Sequence, residues 1–133
     1  MSALRPLLVA ALLATLAVPA LRAEPPRLEG PVTFLVAIET KPGQAEPFLA
    51  LLGPVLDAMR HEESFINAVL HRDPENPNRF LLYESWRDLD DLVSVQLRRA
   101  YRQAYWQGLP DLLAGERQVQ LWQPLRADFV FAD

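Results

Sequence analysis

The chain has no cysteine and only two histidines among its 133 residues. Missing thiols exclude disulfides, thiolate nucleophiles, iron–sulfur clusters and cysteine-ligated zinc. His61 and His71 stand alone, and no His-x-x-x-His or paired-carboxylate spacing points to a metal. Positive charge is also scarce. Against 17 Asp and Glu there are 13 Lys and Arg, for a net charge of −4. Phosphate binding needs concentrated Lys and Arg, so nucleic acid is not expected as a partner. An anionic membrane surface is disfavoured for the same reason. Internal repeats and low-complexity tracts are absent.

One apolar run stands out, at the start. "MSALRPLLVAALLATLAVPALRA" has a short positive region at Arg5, an apolar run from Leu7 to Ala17, and small residues at Ala20 and Ala23. That is the pattern of a secretory signal peptide over residues 1–23. As a membrane span it is too short, and Pro19 breaks it. Cleavage is expected after Ala23; because Leu21 is bulky for its place before that cut, Ala20 is the alternative. The expected location is periplasmic or secreted, with no membrane attachment after cleavage. Residues 1–23 hold Arg5 and Arg22 and no acid, so their loss takes the net charge from −4 to −6. An exported chain without disulfides must be held by its core or by oligomerisation.

Residues 24–30, "EPPRLEG", read as a polar lead-in; 31–126 as one domain; 127–133 as a C-terminal tail. "PVTFLVAIET" is apolar on both alternating faces, a strand covered on two sides. After the "KPGQ" turn a helix is expected from Glu46, with Phe48, Leu51, Leu52, Val55, Leu56 and Met59 on one face and a kink or break at Gly53-Pro54. "SFINAVLHR" and "RFLLYESW" form a hairpin around "DPENPN". A symmetric closure places Phe65, Asn67, Val69 and His71 on one face with Phe80, Leu82, Glu84 and Trp86. Ile66, Ala68 and Leu70 then share the other with Leu81 and Tyr83. Asp88 is the expected cap of a helix that turns Leu89, Leu92 and Val93 inward. A further helical stretch carries Tyr101 and Tyr105 four apart, Pro110 starts a short turn, and "RQVQLWQPL" is the last strand. The order β–α–β–β–α–β makes an α+β, ferredoxin-like fold. Helices cover one face of such a sheet. The other is apolar too, so a second copy of the chain is the expected cover, giving a homodimer.

Several polar residues are candidates for chemistry. His71 has an intrinsic pKa suited to a base or donor, or is an ordinary strand-end residue. Asn67 sits among apolar neighbours and must find partners. Glu84 reads as a paired structural carboxylate. Tyr101 and Tyr105 are core aromatics or a polar pocket lip. Arg98, Arg99 and Arg102 clamp an acidic ligand or, more simply, form a solvated face balancing Asp88, Asp90 and Asp91. His61 ends a helix, where a cation is favoured.

From the "KPG" turn through the Arg60–Glu62 pair and "LHRDPENPNRF" to "YESW-D" at 83–88, the chain resembles the antibiotic biosynthesis monooxygenase family, over residues 31–126. The resemblance implies a dimeric α+β barrel, with a pocket in each subunit between sheet and helices. It implies oxygen insertion into a quinol or phenolic aromatic without cofactor or metal, the substrate supplying the electrons. In that pocket Trp86, Tyr101, Tyr105, Asn67 and Leu82 would bind the small aromatic molecule, and His71, matching a histidine of some relatives, would be catalytic. The chain departs from the family where Val95 and Ala100 replace frequent histidines, where Leu82 replaces an asparagine, and where Glu62-Glu63-Ser64 replaces E-P-G. These departures disfavour haem degradation. They also keep open an exported module that binds an apolar small molecule without chemistry, and a structural dimer with a filled core.

Overall fold

The computed structural model describes residues 28–129. The expected signal peptide, most of the lead-in and the end of the tail lie outside the described residues. The elements are β1 (Val32–Glu39), α1 (Ala45–Met59), β2 (Phe65–Arg72), β3 (Arg79–Trp86), α2 (Leu89–Ser94), α3 (Gln103–Leu112) and β4 (Gln118–Trp122), with two 3-10 turns, Gln96–Arg98 and Ala100–Arg102, between α2 and α3. Strand order is β2-β3-β1-β4, and every neighbouring pair is antiparallel. This is the expected ferredoxin-like α+β sheet. Among the described residues no helix is long and apolar enough to cross a membrane.

Alternation in the strands divides the sheet into an inner face, under the helices, and an outer one. Val32, Val36 and Ile38 of β1 and Phe80, Leu82 and Trp86 of β3 are buried in one core with Phe48, Leu52, Val55 and Met59 of α1 and Tyr105 and Leu109 of α3. Gly108 lets α3 close on α1; a Cβ there would meet Leu51 Cδ2 at 2.9 Å. The turn before α1 needs Gly43, whose φ is +78°.

Three local expectations are corrected. α1 begins one residue early and runs unbroken through Pro54. An interior proline costs about 3 kcal/mol, but Leu52, Val55 and Met59 are buried beside it, and burying such side chains is worth roughly 1.5–3 kcal/mol each. Pro110 likewise lies inside α3 instead of starting a turn. Asp88 does cap α2, its carboxylate accepting from Asp91 N at 2.7 Å. Only Leu92 is buried, however, and Val93 is turned outward and 47% exposed. Six residues make too short a helix to bury a wide stripe.

The fourth correction decides the site. Phe65 faces Trp86 as expected, but the next pair is Asn67 with Ser85, so Ile66 is an extra residue in β2. This bulge shifts the rest of the strand by one place. Ala68 and Leu70 therefore join Glu84 and Leu82 on the inner face, whereas Val69 and His71 join Tyr83 and Leu81 on the outer face. The slip puts apolar Leu70 inside and polar His71 outside.

Candidate functional site

Between sheet and helices the inner face encloses a cavity of about 120 Å³. The strands supply Phe34, Val36, Leu82, Glu84 and Val119 as its floor. α1 supplies Leu52, Val55 and Met59, and the segment after β3 supplies Leu92, Leu97, Arg102, Tyr105 and Trp106. Arg117, just before β4, completes the lining. Val119 lies on the edge strand and is 50% exposed, so the cavity reaches solvent on that side. Trp106 is fixed by its Nε1–H, which donates to the Leu97 carbonyl at 3.0 Å, and Arg117 lies 5.0 Å over its ring.

Two charged groups inside this apolar wall are more than nine-tenths buried. Glu84 follows Leu82 on the inner face and is 6% exposed. One carboxyl oxygen accepts from Trp86 Nε1 at 3.2 Å. Burial pushes its pKa above the usual carboxylate value; Arg102, the Trp86 hydrogen bond and Arg117 oppose that shift without cancelling it. Arg102 is 3% exposed. Its Nη2 donates weakly to Met59 Sδ at 3.8 Å, and its guanidinium carbon lies 5.8 Å from the Trp86 ring centroid and 5.9 Å from that of Tyr101. Its Nε has no hydrogen-bond partner, and no carboxylate lies within 4.0 Å of it, among the described residues. Tyr105 is buried, and burial raises its hydroxyl pKa further than Arg117 lowers it. The set thus offers a carboxyl shifted towards neutrality, a buried cation with a spare donor, and a neutral phenol. Among the described residues no group of three or more His, Asp or Glu side chains converges as a metal site.

The antibiotic biosynthesis monooxygenase family model matches residues 31–105, more than half of the chain. The chain belongs to that family. One relative, described as a "Putative monooxygenase" from Pestalotiopsis microspora, is 27% identical over 92 residues, covering 68% of this chain and 77% of its own. Two solved structures share the fold. A protein from Pseudomonas aeruginosa superposes with a TM-score of 0.66 at 23% identity, covering 76% of this chain and 100% of its own. A "Putative antibiotic biosynthesis monooxygenase" from Nitrosomonas europaea superposes with a TM-score of 0.67 at 18% identity, covering 71% of this chain and 99% of its own.

Within this family domain the expected site residues divide. Leu82 and Tyr105 line the cavity. Trp86 is fully buried beside it, tied to Glu84 and packed edge-on against Phe65 at 5.5 Å. Tyr101 is half-buried behind Arg102 and does not line the cavity. Burial raises the pKa of its hydroxyl; Arg102 and Glu62 lie near that hydroxyl, but neither meets it in hydrogen-bond geometry. Asn67 and His71 are on the outer face, across the sheet from the cavity, because of the bulge at Ile66. His71 is exposed, and its Nδ1 hydrogen-bonds the Leu81 carbonyl at 3.2 Å. Val95, at the frequent histidine position, is 39% exposed and does not line the cavity either.

Sequence reasoning misses Arg117; Glu84, read as a structural carboxylate, and Arg102, weighed with Arg98 and Arg99 as a clamp for an acidic ligand, both line the cavity. For Arg102 a signal was present: 102, 105 and 109 have the spacing of one helical face, and Tyr105 and Leu109 are apolar. Glu84 alternates with Phe80, Leu82 and Trp86, which marks the inner face but not the cavity.

Proposed function

We propose that the cavity is the reaction chamber of a cofactor-independent monooxygenase acting on a single-ring quinol or phenol, with Glu84 as the base. The observation that carries this reading is a cavity of one-ring size that contains a buried carboxyl with a raised pKa. Engineered apolar cavities of about 150 Å³ take up benzene, so about 120 Å³ with one solvent-facing side suits one ring and is too small for a fused polycycle or haem. A carboxyl raised towards the working pH is a stronger base than an ordinary glutamate, and it can both take and return a proton. Family membership and the Pestalotiopsis relative support a monooxygenase-type activity.

The reaction balances without a further reductant. A substrate hydroxyl gives its proton to Glu84, and the electron-rich ring reduces O₂. One oxygen atom bonds to a ring carbon as the O–O bond breaks, and the other leaves as water. Benzene-1,4-diol plus O₂ then gives hydroxy-1,4-benzoquinone and one water, all four electrons coming from the diol. The apolar lining excludes water, which strengthens each electrostatic contact in the chamber. Oxygen uptake with a panel of benzenediols and phenols, and mass analysis of the product from ¹⁸O₂, tests this. Uptake with one labelled oxygen in the product supports it. Binding of an aromatic without uptake would mean a binding module instead.

We further infer that the working form is an exported homodimer. The apolar outer face supports this, with Val69, Leu81 and Trp122 exposed by 43%, 40% and 56%. The Arg5, Leu7–Ala17, Ala23 pattern supports export. N-terminal sequencing of protein from the cell envelope should begin at Glu24 or Leu21. An intact Met1 in cytoplasmic protein would contradict it.

A further inference from the structure

We propose that the cavity binds its aromatic ligand as an anion, with the negatively charged oxygen accepting a hydrogen bond from Arg102 Nε. This rests on the cavity being the ligand site, but not on the chemistry that follows. Arg102 lines the cavity, is 3% exposed and has an Nε donor with no partner among the described residues. A guanidinium cannot shed its proton to escape burial, so it stays charged whether or not a counter-ion is present. The Trp86 and Tyr101 rings offset part of the burial through their π faces, and Met59 Sδ is only a weak acceptor. What is missing is an oxyanion. Two arginines and one glutamate line the cavity, so its charge is +1 with Glu84 ionised and +2 with Glu84 protonated. That sign opposes the protein as a whole, at −4. The remaining titratable group lining the cavity is Tyr105, whose neutral hydroxyl adds no charge.

The anion can come from two sources with the same oxygen chemistry. A phenol can pass its proton to Glu84 and bind as a phenolate. Alternatively, a ring carboxylate arrives already charged and holds Glu84 in its protonated form. Both put negative charge beside Arg102 and a proton on Glu84. They differ in the proton's origin: the phenol brings it, and the carboxylate recruits it from solvent. Benzoate binding therefore tightens as pH falls towards the Glu84 pKa of the free protein, whereas binding of a weakly acidic phenol is nearly pH-independent between that value and the phenol's own pKa.

The test uses the purified full chain with benzoate, its neutral isostere benzamide, and 4-nitrophenol, which is yellow only as phenolate. Calorimetry should show benzoate binding at least about tenfold tighter than benzamide, as expected for one charge-assisted hydrogen bond. Alternatively or in addition, 4-nitrophenol should turn yellow on binding at a pH where the free phenol is largely colourless. A benzoate preference alone identifies the carboxylate source, and a colour change alone the phenolate. Arg102→Gln should erase both signals and Arg102→Lys should restore part of them. If Arg102→Gln does not fold, the wild-type ligand series decides by itself. Equal binding of benzoate and benzamide with colourless bound nitrophenol overturns the anion proposal and leaves the chamber standing. No binding of any of the three overturns both.

Discussion

On its inner face the sheet holds Glu84 at 6% exposure, with Arg102 above it at 3%; on its outer face the nearest counterparts, Asn67 and His71, meet only backbone or find no partner. The same strands build both faces, and alternation, reset in β2 by the bulge at Ile66, assigns each residue to one of them. The inner residues are shielded, so unit charges interact strongly there, and burial raises the pKa of Glu84. His71 keeps contact with water and bonds only the Leu81 carbonyl. On the outer face, where β1 meets β3, Thr33 and Ser85 satisfy each other through a buried hydrogen bond of 2.7 Å. The difference teaches that burial, not residue type, distinguishes the site. The histidine lies across the sheet from the cavity, and a glutamate lines it.

The largest break in this contrast comes from removing the inner anchor. Trp86 is fully buried and holds Glu84 by its indole N–H. Trp86→Ala should destabilise the fold by roughly 3–5 kcal/mol, measured as a lowered urea midpoint. Next is the outer face, where we place a second copy of the chain. Leu81→Lys puts like charges across a two-fold contact, which costs several kcal/mol, so light scattering should show the mass fall from dimer to monomer at micromolar protein. An unchanged mass would mean that this face is covered in another way.

A smaller effect sharpens the electrostatic side. Because burial raises the Glu84 pKa in the folded state, the folded chain holds this proton more tightly than the unfolded one. The resulting contribution to stability is fully present below the ordinary carboxylate range and is lost as pH rises through the folded value. Glu84→Gln, which can still accept from Trp86, should therefore be relatively more stable at pH 8 than at pH 4 when its urea midpoint is compared with wild type at each pH. The opposite slope would mean that Arg102 and Arg117 outweigh desolvation. His71→Ala, at an exposed strand end, should shift the midpoint by no more than about 0.5 kcal/mol.

Much of this contrast was legible in the sequence. The strand and helix order, the Asp88 cap and the inward direction of Leu82 and Tyr105 all follow from periodicity and turn chemistry. The position of His71 does not. "SFINAVLHR" is apolar at both alternations, so nothing in it marks Ile66 as an extra residue, and one bulge reverses the strand beyond it. Arg102 was obscured by its neighbours. Arg98 and Arg99 are exposed, and the 3-10 turns between α2 and α3 rotate Arg102 away from them into the core. Arg98 and Arg99 have the exposure of a solvated face, although Arg99 pairs with Glu62 at 2.9 Å and not with Asp88, Asp90 or Asp91. Glu84 reads as a paired structural carboxylate, and the structure gives it the Trp86 indole as its hydrogen-bond partner.

The most direct test places the two faces side by side in one assay. Oxygen uptake with a benzenediol that wild-type protein oxidises is measured for Glu84→Gln and His71→Ala, both first shown to be folded. The account predicts that Glu84→Gln loses roughly 10²–10⁴-fold in rate, the usual cost of removing a general base, and that His71→Ala stays within about twofold of wild type. A full rate in Glu84→Gln with a collapse in His71→Ala would contradict it and place the chemistry on the outer face.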